Sequence, residues 1–153
     1  MKLSAGLLLY RRSADRIEVL LVHMGGPFWA RKDDHAWSIP KGEYDPGEDP
    51  AAVAAREFAE ELGGAPPDGP TVELGTTRQS AKAVTAFARE GDFDAATAVS
   101  NTFAVEWPPG SGQLRDFPEV DRADWFDLPT AATKLVKGQV VFLTRLANHL
   151  AST

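Results

Sequence analysis

The 153-residue sequence contains no cysteine. This absence excludes disulfide bonds, thiolate zinc sites and a cysteine nucleophile. Basic residues are outnumbered by acidic ones, 16 against 22, which gives a net charge of −6 with histidine neutral. A net-acidic chain is a poor non-specific ligand for nucleic acid or for an anionic membrane surface. A small anionic substrate is still allowed, because a local basic pocket or a bound metal can attract it.

Long apolar runs and several catalytic motifs are also missing. No apolar run reaches the roughly 18 residues of a membrane-spanning helix. The N-terminal segment MKLSAGLLLYRR is a short apolar stretch without a following A-x-A site, so it predicts a first strand and not a signal peptide. The sequence also lacks a P-loop, a G-x-S-x-G elbow and an H-E-x-x-H helix. We therefore expect a cytoplasmic protein without a membrane partner.

What the sequence does contain is typical of a globular protein, with 43% hydrophobic and 25% charged residues. The length suits one domain over residues 1–153. Strand patterns occur at Leu3–Tyr10 and Ile17–His23, and helical patterns at Asp49–Leu62 and Thr130–Leu150. Further strand segments are predicted at Ala36–Pro40, within 72–88, at Asn101–Trp107 and at Asp124–Phe126. This interleaving predicts an α/β (α+β) sandwich with a mixed sheet.

The Asp49–Leu62 helix carries three carboxylates close together. Asp49 is a suitable N-cap, Pro50 suits the first helical position and Gly63 suits the position after the helix. On a helical wheel the three carboxylates share a sector of about 100°. They belong to Glu57, Glu60 and Glu61. We expect the apolar side of the helix, with Ala51, Ala55, Phe58 and Leu62, to lie opposite this acidic sector.

A solvated acidic face is the ordinary explanation for such a sector, but here the acids oppose helix stability. Glu57 and Glu61 are a like-charged i,i+4 pair, which costs roughly 0.2–0.5 kcal/mol. All three acids lie near the helix C-terminus, where the macrodipole disfavours negative charge. Arg56 relieves part of this repulsion. Oxygen ligands suit Mg²⁺ or Mn²⁺, so a divalent metal site is the alternative explanation.

The segment Gly42–Gly64, called the box below, resembles the signature of the Nudix hydrolases, G-x5-E-x7-R-E-U-x-E-E-x-G-U, where U is a bulky apolar residue. Eight of the nine specified positions match; they are Gly42, Glu48, Arg56, Glu57, Phe58, Glu60, Glu61 and Gly63. The last position departs, because Gly64 stands where the family has an apolar residue.

The resemblance implies a fold and a set of roles. The fold is an α/β/α sandwich with a mixed central sheet, a loop–helix–loop formed by the box, and a C-terminal helix. The implied metal ligands are Glu57, Glu60, Glu61 and the carbonyl of Lys41, with Mg²⁺ or Mn²⁺ as cofactor. The resemblance further implies that Glu48 and Arg56 pair, and that Gly42 lets the backbone turn toward the metal.

The family does not fix the base that activates water, so three glutamates stay open as candidates. Glu57 lies within the box. Glu106 ends a predicted strand, and Glu119 lies in a loop before a Trp-Phe pair. For the two acids outside the box the alternative is an ordinary surface carboxylate.

The residues around the box suggest how a substrate is recognised. Lys41 follows a proline where many family members have a second glycine, which resembles the diadenosine polyphosphate and diphosphoinositol branches. Further candidate phosphate contacts are Arg31, Lys32, Arg78 and Lys82, and candidate base-stacking residues are Phe28, Trp29 and Trp107. Each of them has a surface or core role as its alternative.

The resemblance implies a metal-dependent pyrophosphohydrolase that cleaves a phosphoanhydride of a nucleoside diphosphate linked to another moiety. A dinucleoside polyphosphate and a (d)NTP are both candidate substrates, and a diphosphoinositol-type hydrolase is an alternative. The expected partner is therefore a small nucleotide and not a nucleic acid polymer. A non-catalytic nucleotide-binding Nudix module is a further alternative, but such proteins typically lose box glutamates. A purely structural acidic domain would leave the destabilising glutamates unexplained.

Overall fold

The computed structural model describes residues 1–152, and within that range it has nine strands and three α-helices. The strands are β1 (Lys2–Ser13), β2 (Arg16–Met24), β3 (Trp37–Ser38), β4 (Lys41–Tyr44), β5 (Thr71–Gln79), β6 (Lys82–Glu90), β7 (Thr102–Glu106), β8 (Leu114–Pro118) and β9 (Val120–Asp127). The helices are α1 (Pro50–Leu62), α2 (Leu128–Lys134) and α3 (Val141–Ala151). No helix in this range is long and apolar enough to cross a membrane.

Seven strands form one mixed sheet, as predicted. Its main order is β3-β2-β1-β6-β5, with β4 paired to β1 and β9 paired to β2. β1 runs parallel to β6, and the remaining described pairs of this sheet are antiparallel. β7 and β8 form a separate two-stranded hairpin.

The sheet separates two apolar cores, which makes the fold an α/β/α sandwich. Along β2, Val19 and Leu21 pack in the core covered by α2 and α3, whereas Leu20 and Val22 pack in the core covered by α1. All four side chains are buried. A strand that is apolar on both faces is typical of a sheet covered on both sides, and β2 lies inside this sheet, between β1 on one side and β3 and β9 on the other.

Helix α1 begins and ends as the sequence predicts. The Asp49 carboxylate accepts a hydrogen bond from the Ala51 N–H, Pro50 is the first helical residue, and Gly63 ends the helix in the left-handed region at φ 72°. Phe58 and Leu62 are fully buried beneath the helix. Gly64, which departs from the family pattern, lies beside the Phe93 ring. This ring packs edge-on against Phe58 with 5.2 Å between ring centroids, so Phe93 supplies apolar contact next to the glycine.

The prediction of one helix over Thr130–Leu150 is wrong. The chain leaves helical geometry after Lys134, makes a short 3-10 turn at Lys137–Gln139, and resumes as α3. The break has a tertiary cause, because the Val136 N–H donates to the Trp37 carbonyl and the buried Gln139 side chain accepts from the Ile39 N–H at 2.9 Å. Apolar periodicity continues through this segment, so the sequence pattern alone could not show the break.

The sequence did not predict β4 or β8, and it overestimated the length of β3. β4 falls inside the box loop, and β8 follows the Gly- and Pro-rich turn after β7. The segment Ala36–Pro40 contributes only the two-residue strand β3. Both missed strands are short and lack an alternating apolar pattern, so they depend on partners from elsewhere in the chain.

Candidate active site

The acidic residues of α1 do not lie opposite its buried side, which corrects the wheel prediction. Val53 and Ala54 are buried, and on the wheel they flank the sector that contains Glu57 and Glu61. The Glu57 side chain is only 16% exposed, whereas Glu60 is exposed. The wheel failed because β4 lies against this side of the helix: Gly42 contacts the Glu57 carboxylate, and the Lys41 backbone hydrogen-bonds Glu61.

Burial changes the acidity of these two groups. Burial raises the pKa of Glu61 to about 8, and the Lys41 ammonium only partly opposes this rise. The pKa of Glu57 is also raised, first by burial and then by the charge of Glu60. Two carboxyl groups are thus held where nearby positive charges only partly balance their ionised forms. Such a place favours the approach of a cation.

Gly42 brings the backbone of β4 directly against the Glu57 carboxylate. A Cβ at this position would overlap the Cδ and both oxygens of Glu57. The family role of turning the chain is not what the structure shows, because Gly42 lies within β4, paired with Ala5, and its φ is outside the left-handed region. The glycine is needed here for space.

Glu48 and Arg56 make the contact that the resemblance implies. Arg56 Nη1 donates to Glu48 Oε2 at 3.1 Å, while Glu48 Oε1 accepts from the Asp45 N–H at 3.0 Å. Arg56 Nη2 also lies 3.8 Å from Glu57 Oε1. The hydrogen bond from the Asp45 N–H and then the one from Arg56 lower the pKa of Glu48. The Arg56 contact also ties the loop before α1 to the helix. Their contribution to any catalytic step stays a prediction.

Lys41 lies between the acids of α1 and a second lysine. Burial lowers the pKa of Lys41, the nearby Lys82 lowers it further, and Glu61, Glu43 and Glu57 raise it. Lys82 Nζ lies 3.6 Å from Glu43 Oε1. Two lysine side chains thus lie near each other beside β4, and Lys41 also interacts with the acids of α1, an arrangement suited to an anionic group.

The donor set fits a divalent cation, although the side chains are not gathered around one point. Among residues 1–152 no three His, Asp or Glu side chains are close enough together to hold a metal ion in this conformation. Residues at i, i+3 and i+4 on a helix are neighbours, and glutamate side chains rotate about three bonds, so Glu57, Glu60 and Glu61 can converge without a backbone change. Their carboxylate oxygens are the donors that Mg²⁺ and Mn²⁺ take.

Of the two acids proposed outside the box, the structure brings Glu119 and not Glu106 to the acidic face of α1. Glu119 adds a negative charge that raises the pKa of both Glu57 and Glu61. The Glu106 carboxylate instead accepts the Gly110 N–H at 2.6 Å and so closes the turn of the β7–β8 hairpin. The sequence places Glu106 at the end of a strand, but that strand belongs to the hairpin and not to the central sheet.

A cavity of about 470 Å³ lies at the end of β2, on the side of the sheet covered by α2 and α3. Trp29 and Arg78, both predicted to contact substrate, line it. The other lining residues are Met24, His35, Gln79, Ser80, Val136, Lys137 and Gly138. The last three were missed because they were assigned to a continuous helix. Gly138 within that pattern was the available signal, since glycine is a poor helix former.

Other predicted substrate contacts lie on the surface. Arg31 is exposed, Lys32 stacks over the Trp29 ring at 5.1 Å, and Phe28 meets Trp107 edge-on at 5.6 Å. Phe28 is 59% exposed. Phe28 and Trp107 therefore contact each other across the loop and the hairpin, and neither lines the cavity.

Two curated proteins match part of the sequence. Over 58 residues the chain is 45% identical to the Caenorhabditis elegans protein bis(5'-nucleosyl)-tetraphosphatase [asymmetrical], a match that covers 38% of this chain and 38% of that protein. Over 64 residues it is 42% identical to RNA pyrophosphohydrolase from Rhodospirillum rubrum, covering 40% of this chain and 37% of that protein. The matched region thus spans well under half the length of either relative.

The whole fold matches a solved structure and a family. A crystal structure of a C. elegans Ap4A hydrolase binary complex aligns with a TM-score of 0.67 and 22% identity, covering 98% of this chain and 99% of that one. At that identity the likeness shows the fold. Residues 1–146 match the NUDIX domain, so the α/β/α sandwich and the box helix described above belong to a member of the NUDIX family.

Proposed function

We propose that this protein is a divalent-metal-dependent pyrophosphohydrolase that hydrolyses a phosphoanhydride bond of a nucleotide. The observation that carries the proposal is the partial burial of Glu57 and Glu61 on α1. Burial raises the pKa of Glu61 to about 8, and Gly42 leaves space for the Glu57 carboxylate. A protein without a ligand at this face would gain stability by replacing such glutamates, because desolvated acids whose charge is only partly balanced are costly.

Glu57, Glu60 and Glu61, with the Lys41 carbonyl, would hold the metal. When bound, Mg²⁺ or Mn²⁺ neutralises phosphate charge and makes a bound water more acidic. Glu119 is the acid outside the box that is best placed to accept a proton from the attacking water, and Glu57 is the alternative. Arg56 keeps the Glu48 loop against α1, and Lys41 and Lys82 offer positive charge to the phosphate chain.

The substrate we favour is a dinucleoside polyphosphate. The cavity of about 470 Å³ has the size of a small-molecule site, and Trp29 offers a ring on which a base can stack. Arg78 and Lys137 add positive charge to its lining. Met24 lines the cavity, and the next residue, Gly25, donates to the Glu119 carbonyl at 2.8 Å. The partial match to a tetraphosphatase of this kind supports the choice.

A substrate panel tests this proposal. It contains a dinucleoside tetraphosphate, a (d)NTP, ADP-ribose, a diphosphoinositol phosphate and a short 5'-triphosphorylated RNA, each assayed with Mg²⁺, with Mn²⁺ and with a chelator. We expect metal-dependent turnover that is fastest on the dinucleoside tetraphosphate. Preference for another member would replace the substrate assignment. Binding of a nucleotide without turnover of any member would instead identify a non-catalytic module.

A further inference from the structure

A β-bulge next to Glu119 interrupts the pairing of β2 with β9. His23 pairs with Arg122, but the next residue, Met24, pairs with Val120, so Asp121 is an extra residue on β9. Bulges redirect side chains and are frequent beside active sites. This one lies two residues after Glu119.

The extra residue is anchored to a buried histidine. His23 is 1% exposed, its Nδ1 lies 2.7 Å from Asp121 Oδ1, and its Nε2 lies 2.6 Å from the Lys32 carbonyl. Both partners, the Asp121 carboxylate and the Lys32 carbonyl, are hydrogen-bond acceptors, so the buried ring is held between two acceptors on different segments. His23 thereby joins the bulge to the loop after β2, which carries Trp29.

The backbone of Glu119 is held on both sides. Its N–H donates to the Asn101 carbonyl and its carbonyl accepts from the Gly25 N–H, each at 2.8 Å. Gly25 is fully enclosed, and a Cβ there would overlap the Pro118 carbonyl. The segment around Glu119 therefore lies directly on the end of β2, two residues beyond His23.

The same segment is connected to the end of α1 that carries the acids. The Val99 N–H donates to the Leu62 carbonyl at 3.2 Å, and Ser100 Oγ accepts from the Val120 N–H at 3.0 Å. Val120 packs in the core beneath α1. Any shift of the bulge would thus move Glu119 relative to the box glutamates.

We propose that the buried His23–Asp121 pair is a positioning device that fixes Glu119 against the acidic face of α1. The inference rests on the proposed function, because Glu119 is meaningful as a target only if phosphoanhydride hydrolysis occurs here. His23 and Asp121 touch neither substrate nor metal in this scheme, and they act through the backbone between Gly25 and Asp121.

The first test is a double-mutant cycle with Asp121→Ala, Glu119→Gln and the combination, assayed on the substrate that the wild type turns over. Loss of a residue that holds a functional group in place typically costs about 10–100-fold in activity. We therefore expect Asp121→Ala to lower kcat by about that factor with little change in KM. Asp121→Asn keeps an acceptor for His23 and should recover part of the loss. In the Glu119→Gln background Asp121→Ala should have little further effect, because the residue it positions is already disabled.

The matched control is Asp124→Ala, which removes the same charge from the same strand. The Asp124 carboxylate accepts from its neighbouring Trp125 N–H and does not contact His23. We expect its kcat to equal that of the wild type. Multiplicative effects of Asp121→Ala and Glu119→Gln, or an equal loss in Asp124→Ala, would overturn the proposal.

Amide hydrogen exchange gives a readout that does not depend on turnover. Asp121→Ala should accelerate exchange at Gly25 and Glu119, while the amides of α1 keep their wild-type protection. Unchanged exchange at these two amides would overturn the positioning role even if activity falls. A wild type that hydrolyses nothing in the panel contradicts the proposed function, whereas an active wild type with unchanged exchange in Asp121→Ala contradicts only the positioning role.

Discussion

The two acidic elements of this site are assembled in opposite ways. The box contacts are local in sequence: Asp49 caps α1, Arg56 reaches back to Glu48, and Glu57 packs on Gly42. The Glu119 segment is held by residues far away in the chain, namely Gly25 and, through Asp121, His23. Local contacts form with little loss of loop entropy, whereas the distant ones need the folded sheet.

This difference predicts that the box tolerates substitution better than the Glu119 segment does. The box keeps its geometry through a helix cap, an ion pair and a glycine, so its acids depend on few neighbours. Glu119 is exposed and depends on backbone hydrogen bonds between three segments. We expect substitutions in the box to act on chemistry and substitutions around Glu119 to act on geometry.

The largest expected effect comes from Glu61→Gln, which keeps the side-chain size and removes its charge. We expect kcat to fall by roughly 10²–10⁴, the range of electrostatic and acid–base contributions. Steady-state kinetics on the preferred substrate measure this loss. A variant within a few-fold of the wild type would mean that Glu61 is not a principal metal ligand.

Three glycine-to-alanine variants separate chemistry from geometry. In Gly42→Ala the new methyl group meets the movable end of Glu57, so we expect a small stability change but a loss of activity of about 10²-fold from misplacement of that carboxylate. In Gly25→Ala the methyl group meets the Pro118 backbone, and overpacking of this kind costs about 1–3 kcal/mol. Gly47→Ala is the control, because nothing lies within 4 Å of its Cβ.

Urea denaturation and kinetics on these three variants test the contrast between the two elements. Equal destabilisation by Gly42→Ala and Gly25→Ala would show that the box is not the more tolerant element. A change in Gly47→Ala comparable to either would show that the effect does not come from the contacts named here.

Metal binding should stabilise the folded protein through the box glutamates. At ten times Kd the gain is about 1.4 kcal/mol, because the metal binds the folded state only. For a chain of this length that is a rise in Tm of roughly 3–6 °C. Glu61→Gln should melt at or slightly above the wild type with a chelator, since repulsion is relieved, and should lose most of the Mg²⁺ shift.

Four melting curves at matched ionic strength, wild type and Glu61→Gln with Mg²⁺ and with chelator, measure the metal effect. If the shift is the same in both proteins, Mg²⁺ acts only by screening exposed charge.

Stability without metal should also depend on pH through Glu61. A carboxyl whose pKa is about 8 in the folded state and about 4.5 when unfolded binds its proton more tightly when folded. Its contribution is therefore present at low pH and is lost as the pH rises from about 4.5 toward 8. Urea denaturation in chelator at a series of pH values should show that the free energy of unfolding falls more steeply with rising pH for the wild type than for Glu61→Gln. Parallel pH dependences would contradict the burial of this group.

The smallest expected effect concerns Lys82, which lies beside Lys41. Lys82→Gln should slow turnover of a longer polyphosphate by a few-fold more than that of a short NDP-linked substrate, because it removes one charge from the outer phosphate path. Lys2→Gln is the control, since Lys2 pairs with the same Glu43 oxygen but its side chain is 69% exposed. Equal losses on both substrate classes would limit Lys82 to a general field effect.

The sequence by itself determined α1, its caps, the family and the Glu48–Arg56 pair, because all of them depend on residues within about 20 positions of one another. It also determined that β2 is buried on both faces, since its apolar residues have no alternation. The separation of box acids from apolar residues on a wheel was wrong, because a wheel does not show that Gly42 of β4 packs against Glu57.

Only the tertiary structure decided where the two outside acids lie, where the last helix breaks and where the cavity opens. Glu106 and Glu119 lie 13 positions apart, yet Glu106 belongs to the β7–β8 hairpin, whereas the Glu119 carbonyl accepts from Gly25 beside the end of β2. Gln139 interrupts a helical pattern because it bonds Ile39, 100 residues away in sequence. Such choices depend on hydrogen bonds between distant segments, and a local residue pattern carries no information about them.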